Sequence, residues 1–232
     1  MGLQNRITEP CDLLNENGHL THPGYATRPL WRYDREKINA PRHRIKEWDY
    51  YYVMAPDQGY GITFTIADLG YVGMAAVCWL DFKQRTSSQV DTLSFFPMGG
   101  LNLPSVSDSG VTRFENNTVN LGFEVSGGNR RLTFETQGKG QEQLKGSLLL
   151  TRAGDEDMVI ATSWKENPKA FYYNHKINCM DVEGWVTLGS NRYEFKHGTA
   201  FGGLDWGRGN WTYKNRWYWG SASGVLGNDP LG

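Results

Sequence analysis

The residues best suited to chemistry lie in one stretch near the C-terminal end, Leu204 to Gly220, which reads LDWGRGNWTYKNRWYWG. Its one acid, Asp205, stands directly before Trp206 and close to Arg208. A carboxyl group held against an indole ring in a dry environment has its neutral form favoured, which suits a proton donor. The alternative is a structural carboxylate that pairs with Arg208 or caps backbone amides. Residue types alone leave both roles open.

Aromatic side chains follow Asp205 at a density that indicates either a filled core or a lined pocket. A strand over residues 216–223 would point Trp217 and Trp219 to the same side. Gly207 and Gly209 would permit a tight backbone path beside Asp205. The candidate ligand contacts of this stretch are its aromatic and basic side chains: Trp206, Arg208, Tyr213, Trp217 and Trp219.

A second candidate group is RIKEWDYYYV, from Arg44 to Val53. On a strand, Glu47 and Asp49 share one face, and Trp48 lies on the other. Two such carboxylates could form an acid–base pair, or part of a glycosidase-like site if another acid stood opposite. Alternatively, one acid is solvated and the other pairs with a neighbouring basic side chain. Glu47, Trp48 and Asp49 are therefore candidate ligand contacts.

A third candidate group is AFYYNHKINCM, from Ala170 to Met180. On a strand, Tyr172, Asn174 and Lys176 share one face, where they would orient a ligand if that face lined a cavity. If the face is solvated, it is only a polar sheet surface. His175 lies on the other face among apolar neighbours, which is typical of a hydrogen-bonded core histidine.

The elements that would position these residues are strands. Period-two alternation predicts strands over 61–68, 118–125 and 131–135, with further strands over 72–82, 144–151, 158–163 and 169–180. A hairpin over 184–196 turns at Gly189, and Pro41 limits the charged segment before residue 48 to loop or a single turn. The pattern predicts an all-β antiparallel barrel or sandwich.

Composition excludes several functions. The net charge of −1 offers no basic footprint for nucleic acid or an anionic membrane. The 3 cysteines are widely spaced and the 5 histidines scattered, so neither a disulfide framework nor a metal site is expected. No apolar run has the length of a signal peptide or a membrane span, which predicts a soluble, cytoplasmic protein. The oligomeric state stays open.

Several blocks resemble a bacterial family described only as a domain of unknown function, DUF2804. They are RIKEWDYYYV, DLGYVGMA at Asp68, FYYNHKINCM at Phe171 and LDWGRGNWTYKNRWYWGSASG at Leu204. The Asp-Trp-Gly core followed by Trp-x-Trp is also similar to the signature of the lipocalin-like carotenoid hydratases (hydroxyneurosporene synthases), the AttH-like proteins and the tocopherol cyclases. The hydratases carry a longer acid-His block before their Trp-Gly, whereas in this chain Leu204 precedes Asp205 and the histidine is absent.

The resemblance implies two consecutive lipocalin-like β-barrels with the signature near their junction. It also implies that Asp205 protonates an alkene, while Trp206, Trp217 and Trp219 shield a cationic intermediate. On this basis we expect residues 1–43 to form an N-terminal arm, 44–203 a lipocalin-like barrel, and 204–232 the start of a second β-domain. The turn-like ending, from Gly224 onwards, leads us to expect a chain that is cut short.

Three functions remain open at this point. The first is an enzyme that hydrates, cyclises or isomerises an isoprenoid or lipid-like substrate without a cofactor. The second is a binding protein for such an apolar small molecule. The third is a glycan-binding sandwich that uses exposed, coplanar aromatic rings as stacking platforms.

Overall fold

The structure is a computed structural model that describes residues 4–137, 140–152, 154, 156–227 and 229–232. Its strands are β1 (Cys11–Asp12), β2 (Gly24–Ala26), β3 (Trp31–Arg32), β4 (Ile45–Ala55), β5 (Tyr60–Asp68), β6 (Val72–Asp81), β7 (Thr86–Phe95), β8 (Gly110–Glu115), β9 (Val119–Ser126), β10 (Asn129–Thr136), β11 (Leu144–Thr151), β12 (Met158–Trp164), β13 (Asn167–Leu188), β14 (Asn191–Phe195), β15 (Phe201–Asn210), β16 (Gly224–Leu226) and β17 (Asp229–Leu231). Two 3-10 helices, Arg35–Lys37 and Arg42–Arg44, precede β4.

Within the described residues, one large antiparallel sheet contains 13 strands. Its main path runs β7-β6-β5-β4-β15-β13-β11-β10-β9-β8, with β12, β14 and β2 attached beside β13 and β12. The predicted all-β, antiparallel, lipocalin-like class is confirmed. The strands are half-buried along most of this path, because side chains that alternate along a strand point to opposite faces of the sheet.

The sheet curls, so that its two halves pack against each other across an interior. Tyr51 of β4 meets Phe123 of β9 with ring centroids 4.8 Å apart, and Phe64 of β5 meets Phe134 of β10 at 4.8 Å. These inward-facing side chains belong to a single apolar core. The concave side of this half-barrel is therefore filled with side chains.

Strand β13 joins the two halves. Its first half pairs with β12 and β15, and its second half pairs with β11 and β14. The sequence predicted a strand over 169–180 and a separate hairpin over 184–196, but β13 runs unbroken from Asn167 to Leu188 and includes the first strand of that hairpin. A bulge between Ile177 and Met180, with Cys179 at φ 53°, bends the strand without ending its pairing.

The segments before and after the expected barrel both contact the main sheet, and the expected division into domains stays a prediction. The N-terminal arm packs Leu13 and Leu14 into the core and pairs β2 with β12. Residues 204–210, expected to open a second domain, lie in β15 at the middle of the main sheet. The strand predicted over 216–223 is not formed. This segment lies across the sheet instead, where Trp219 donates a hydrogen bond to Asp205 and Trp217 packs against Trp211.

Candidate active site on the outer face of the sheet

Asp205 occupies the convex face of β15, opposite the core. Gly203 and Gly207 flank it on this face, and a Cβ atom at either position would collide with a ring of β4: Tyr52 at Gly203 and Trp48 at Gly207. The glycines were expected to permit a tight backbone path. They lie instead in a regular strand, and their role is to let two aromatic rings lie flat across β15 beside Asp205.

Four hydrogen-bond donors converge on the Asp205 carboxyl group. Oδ1 accepts from Trp48 Nε1 at 3.2 Å and from Asn174 Nδ2 at 2.7 Å. Oδ2 accepts from Trp219 Nε1 at 2.7 Å and from the Lys176 ammonium group. None of these four nitrogens accepts a hydrogen bond in its ordinary state, so the carboxyl group serves only as an acceptor in these contacts. Asp205 itself is only 7% exposed.

The pairing register brings three strands of polar and aromatic side chains to this face. Lys176 of β13 pairs with Asp205, which pairs with Tyr50 of β4. Burial raises the pKa of Tyr172, and the negative charge of Asp205 raises it further; burial likewise raises the pKa of Tyr50. Both phenols therefore stay protonated at neutral pH. The face consequently presents hydrogen-bond donors around a single carboxylate.

An irregular segment, residues 211–223, lies over this face and is called the covering segment below. Trp211 packs edge-on against Trp48 at 5.3 Å between ring centroids, and Trp219 reaches Asp205. Ser221 Oγ lies 2.5 Å from the Tyr52 hydroxyl and donates to Asn178 Oδ1 at 2.9 Å. These contacts hold the segment at both ends while the ring of Trp219 remains 52% exposed.

Two cavities open on either side of Trp219. The first, of about 440 Å³, has walls from β12, β13 and the covering segment, and these include Ile160, Tyr172 and Trp217. The second, of about 560 Å³, has walls from β4, β5, β6 and the covering segment, and these include Tyr52 and Leu80. Both volumes lie within the range of small-molecule sites, which is roughly 300–1,000 Å³.

One buried acceptor beside the first cavity lacks a partner. The amide nitrogen of Asn174 donates to Asp205 and to the Trp206 carbonyl at 2.6 Å. Its Oδ1 atom is buried and accepts no hydrogen bond from any residue that the structure describes. Because Asn174 lines the cavity, a bound molecule with a hydroxyl group could satisfy this oxygen.

Glu47, Asp49 and Arg208 lie on the opposite, inward face, away from Asp205. Arg208 is fully buried, with its Nη2 3.0 Å from Asp49 Oδ1 and its Nε 3.8 Å from Glu47 Oε1. Glu47 also accepts from Tyr33 at 2.8 Å and Arg35 at 2.5 Å. Two carboxylates and two guanidinium groups balance in charge, which is how buried ions are normally retained.

The same inward face contains His175. Its Nδ1 lies 2.7 Å from Ser107 Oγ, and its Nε2 lies 2.9 Å from Asp157 Oδ2. His175 is 1% exposed, and burial lowers its pKa, against the opposing effect of Asp157. His175 thus ties the loop before β8 to β12 and β13 from inside the core, as expected of a core histidine.

The structure thus divides the predicted site residues into three places. The outer face brings together Asp205, Trp48, Tyr172, Asn174, Lys176, Trp217 and Trp219. The inward face holds Glu47, Asp49, Trp206 and Arg208, with the Arg208 guanidinium 4.0 Å from the Trp206 ring. Tyr213 lies apart from both, under Arg44.

Four contributors to the outer face were not among the predicted ligand contacts: Tyr50, Tyr52, Asn178 and Ser221. Strand alternation indicates three of them, because Tyr50 and Tyr52 share a face with Trp48, and Asn178 shares a face with Lys176. Ser221 gave no such signal, since its position depends on the path of an irregular segment.

Among the described residues, no group of three or more His, Cys, Asp or Glu side chains is placed to hold a metal ion. None of the helices in the described part of the chain has the length and apolarity needed to traverse a bilayer.

Comparisons with known proteins give one family and several structural likenesses. Residues 4–232 match the family model described as "Domain of unknown function (DUF2804)". No curated protein matches the chain. A crystal structure of CghA with Sch210972 is 16% identical, with a TM-score of 0.47, over 72% of this chain and 46% of that chain. A crystal structure of kievitone hydratase from Nectria haematococca is 12% identical, with a TM-score of 0.45, over 71% of this chain and 48% of that chain.

The chain spans about half the length of the solved structures that it matches. At these identities and TM-scores the likenesses say nothing about activity. The resemblance to hydroxyneurosporene synthases and tocopherol cyclases stays a prediction.

Proposed function

The chain belongs to the DUF2804 family, and since that description assigns no activity, we propose from the site itself that the outer face binds an apolar small molecule beside Asp205. The observation that carries this proposal is the pair of cavities on either side of Trp219, one of which is lined by Lys176, the ion-pair partner of Asp205. Apolar walls with a few convergent polar groups are typical of small-molecule sites.

The ligand class follows from the walls of the cavity beside β13. Ile160, Met158 and several aromatic rings offer apolar contact, whereas Asn174 Oδ1 offers one buried acceptor. An isoprenoid or lipid-like molecule with a hydroxyl group matches both features. The covering-segment rings do not favour glycan binding, because Trp211 and Trp217 meet at an interplanar angle of 67° rather than forming a coplanar platform.

A binding titration with the neutral apolar dye Nile red tests the proposal, with farnesol as competitor. Truncation of Trp219 removes a wall shared by both cavities, so Trp219→Ala should bind the dye roughly tenfold more weakly, in line with loss of a central aromatic contact. Trp185→Ala is the matched control, because Trp185 is a partly exposed tryptophan that lines neither cavity.

Equal binding by wild type and Trp219→Ala, or equal weakening in both variants, would contradict an outer-face site. A copurified apolar compound, found by mass spectrometry of an organic extract, would independently support it. Loss of that compound from Trp219→Ala would tie it to this face.

Proton-transfer catalysis is a second candidate function. One observation favours it: Lys176, which forms an ion pair with the predicted catalytic residue Asp205, lines an apolar cavity. Both oxygens of Asp205 already accept hydrogen bonds, so Asp205 can donate a proton to an alkene only after it has taken one up and a donor has moved. Of the four side chains that donate to Asp205, Trp219 is half exposed and lies on the covering segment, so it is the donor placed to move.

Incubation with farnesol in ¹⁸O-labelled water tests this second function. Hydration adds the elements of one water molecule across a double bond, so the product would carry the label. Wild-type protein should form labelled product, and Asp205→Asn should form none while still binding Nile red. Equal labelling by both proteins would show that Asp205 takes no part in the reaction.

A further inference from the structure

A separate cavity of about 280 Å³ lies between the 3-10 helix before β4, the start of β4 and the beginning of the covering segment. Three basic and three aromatic side chains line it: His43, Arg44, Lys46, Tyr71, Trp211 and Tyr213. No acidic side chain belongs to this wall. The cavity takes no part in the contacts around Asp205 described above, apart from sharing Trp211 with the neighbouring apolar cavity.

The two cations of this wall are partly buried yet have no acidic partner. Arg44 donates to the Trp211 carbonyl at 2.5 Å and lies 3.9 Å from the Tyr213 ring centroid. Lys46 donates to the Leu69 carbonyl at 2.9 Å and lies 4.6 Å from the Tyr71 ring centroid. Neither forms a salt bridge with a residue in the described ranges, and each retains several unused N–H donors.

The electrostatics of the cavity favour an added negative charge. Burial lowers the pKa of Lys46, and the positive charge of Arg44 lowers it further, against a smaller opposing effect of Asp68. The Asp68 carboxylate cannot turn to Lys46 freely, because it accepts from the Gly70 amide at 2.9 Å and the Gly99 amide at 2.7 Å. An anion between Lys46 and Arg44 would relieve their repulsion.

We propose that this cavity binds the oxyanion group, phosphate or carboxylate, of a small molecule. Arg44 and Lys46 donate to its oxygens, as charge-assisted hydrogen bonds. The volume suits a small anion or an anionic end group rather than a whole lipid. The proposal does not depend on apolar binding beside Asp205.

Calorimetric titration with sodium pyrophosphate tests the site, with sodium chloride at equal ionic strength as the background. Wild type should bind one pyrophosphate saturably, with affinity that falls as salt rises, because the charges are partly exposed. Loss of one charge-assisted contact in Lys46→Gln or Arg44→Gln should weaken binding roughly tenfold or more. Arg131→Gln, which removes an exposed arginine of β10, is the charge-matched control and should bind normally.

The absence of saturable binding, or equal weakening in all three variants, would overturn the proposal, since the latter indicates only diffuse attraction. Circular dichroism checks the folding of each variant, and Lys46→Gln decides the matter if Arg44→Gln does not fold. A parallel titration with citrate distinguishes the two oxyanion classes. Citrate binding that weakens in the same two variants supports the site with a carboxylate ligand.

Discussion

Replacing Asp205 by asparagine tests the four-donor arrangement that defines the outer face. The asparagine amide keeps one oxygen and replaces the other with an NH₂ group. Whichever way the amide turns, its NH₂ group then faces two other hydrogen-bond donors. These are either Trp48 and Asn174, or Lys176 and Trp219. The ammonium group of Lys176 also loses its counter-ion.

The expected loss in the free energy of unfolding depends on which pair of donors is left without an acceptor. An unsatisfied buried donor costs about 1–3 kcal/mol, and less if it can reach water. Trp219 is half exposed, whereas Asn174 is 1% exposed, so the amide oxygen should stay with Trp48 and Asn174. Loss of the Lys176 and Trp219 contacts should then lower the free energy of unfolding by about 2 kcal/mol.

Urea denaturation followed by circular dichroism measures this change. A double-mutant cycle of Asp205→Asn with Lys176→Met should give a coupling energy of about 1–2 kcal/mol, because the second replacement removes the stranded ammonium. Asp57→Asn, an exposed acid in the turn after β4, should change stability by less than about 0.5 kcal/mol. An Asp205→Asn variant as stable as this control, or a coupling energy near zero, would refute the reasoning.

Three further predictions concern the structure around the site. Gly207→Ala places a Cβ atom against the Trp48 ring, and should lower the free energy of unfolding by about 1–3 kcal/mol in urea denaturation, unless the ring moves aside. Arg208→Met leaves Glu47 and Asp49 buried without this guanidinium partner, and should lower the free energy of unfolding by about 3–5 kcal/mol. An unchanged urea midpoint would contradict the buried ion cluster. For His175, burial holds the folded-state pKa below the unfolded value of about 6.5, so its contribution to stability is complete above that pH and declines as the pH falls below it. Urea midpoints at pH 7.5 and 5.5 should therefore differ more in wild type than in His175→Gln, and equal differences would show that another group controls the pH dependence.

Much of the fold could be predicted from alternation alone. The strands over 61–68, 131–135 and 144–151 were found almost to the residue, because one face of each is apolar. Strands β7 and β8 were missed because they consist largely of exposed polar residues. β13 was divided at its bulge, since an irregular backbone geometry leaves no periodic signal in the sequence.

The site could be predicted only in part, for a physical reason. Alternation assigns side chains to two faces of a strand but does not say which face is the core. Asp205 and Arg208 were therefore grouped by proximity in sequence, although they point in opposite directions from β15. The position of the covering segment depends on contacts such as that of Ser221 with Tyr52, which join residues far apart in the chain.

The central claim, that an apolar small molecule binds on the outer face beside Asp205, is tested most directly by photo-crosslinking. A diazirine analogue of farnesol is irradiated with the wild-type protein, and the labelled residues are mapped by peptide mass spectrometry. The account predicts labelling on the outward side of β13 and on the covering segment, at residues such as Tyr172 and Trp217, with loss of the label when farnesol is in excess. Labelling that farnesol does not displace, or that falls on the cavity around Arg113 and Trp185 instead, would contradict it.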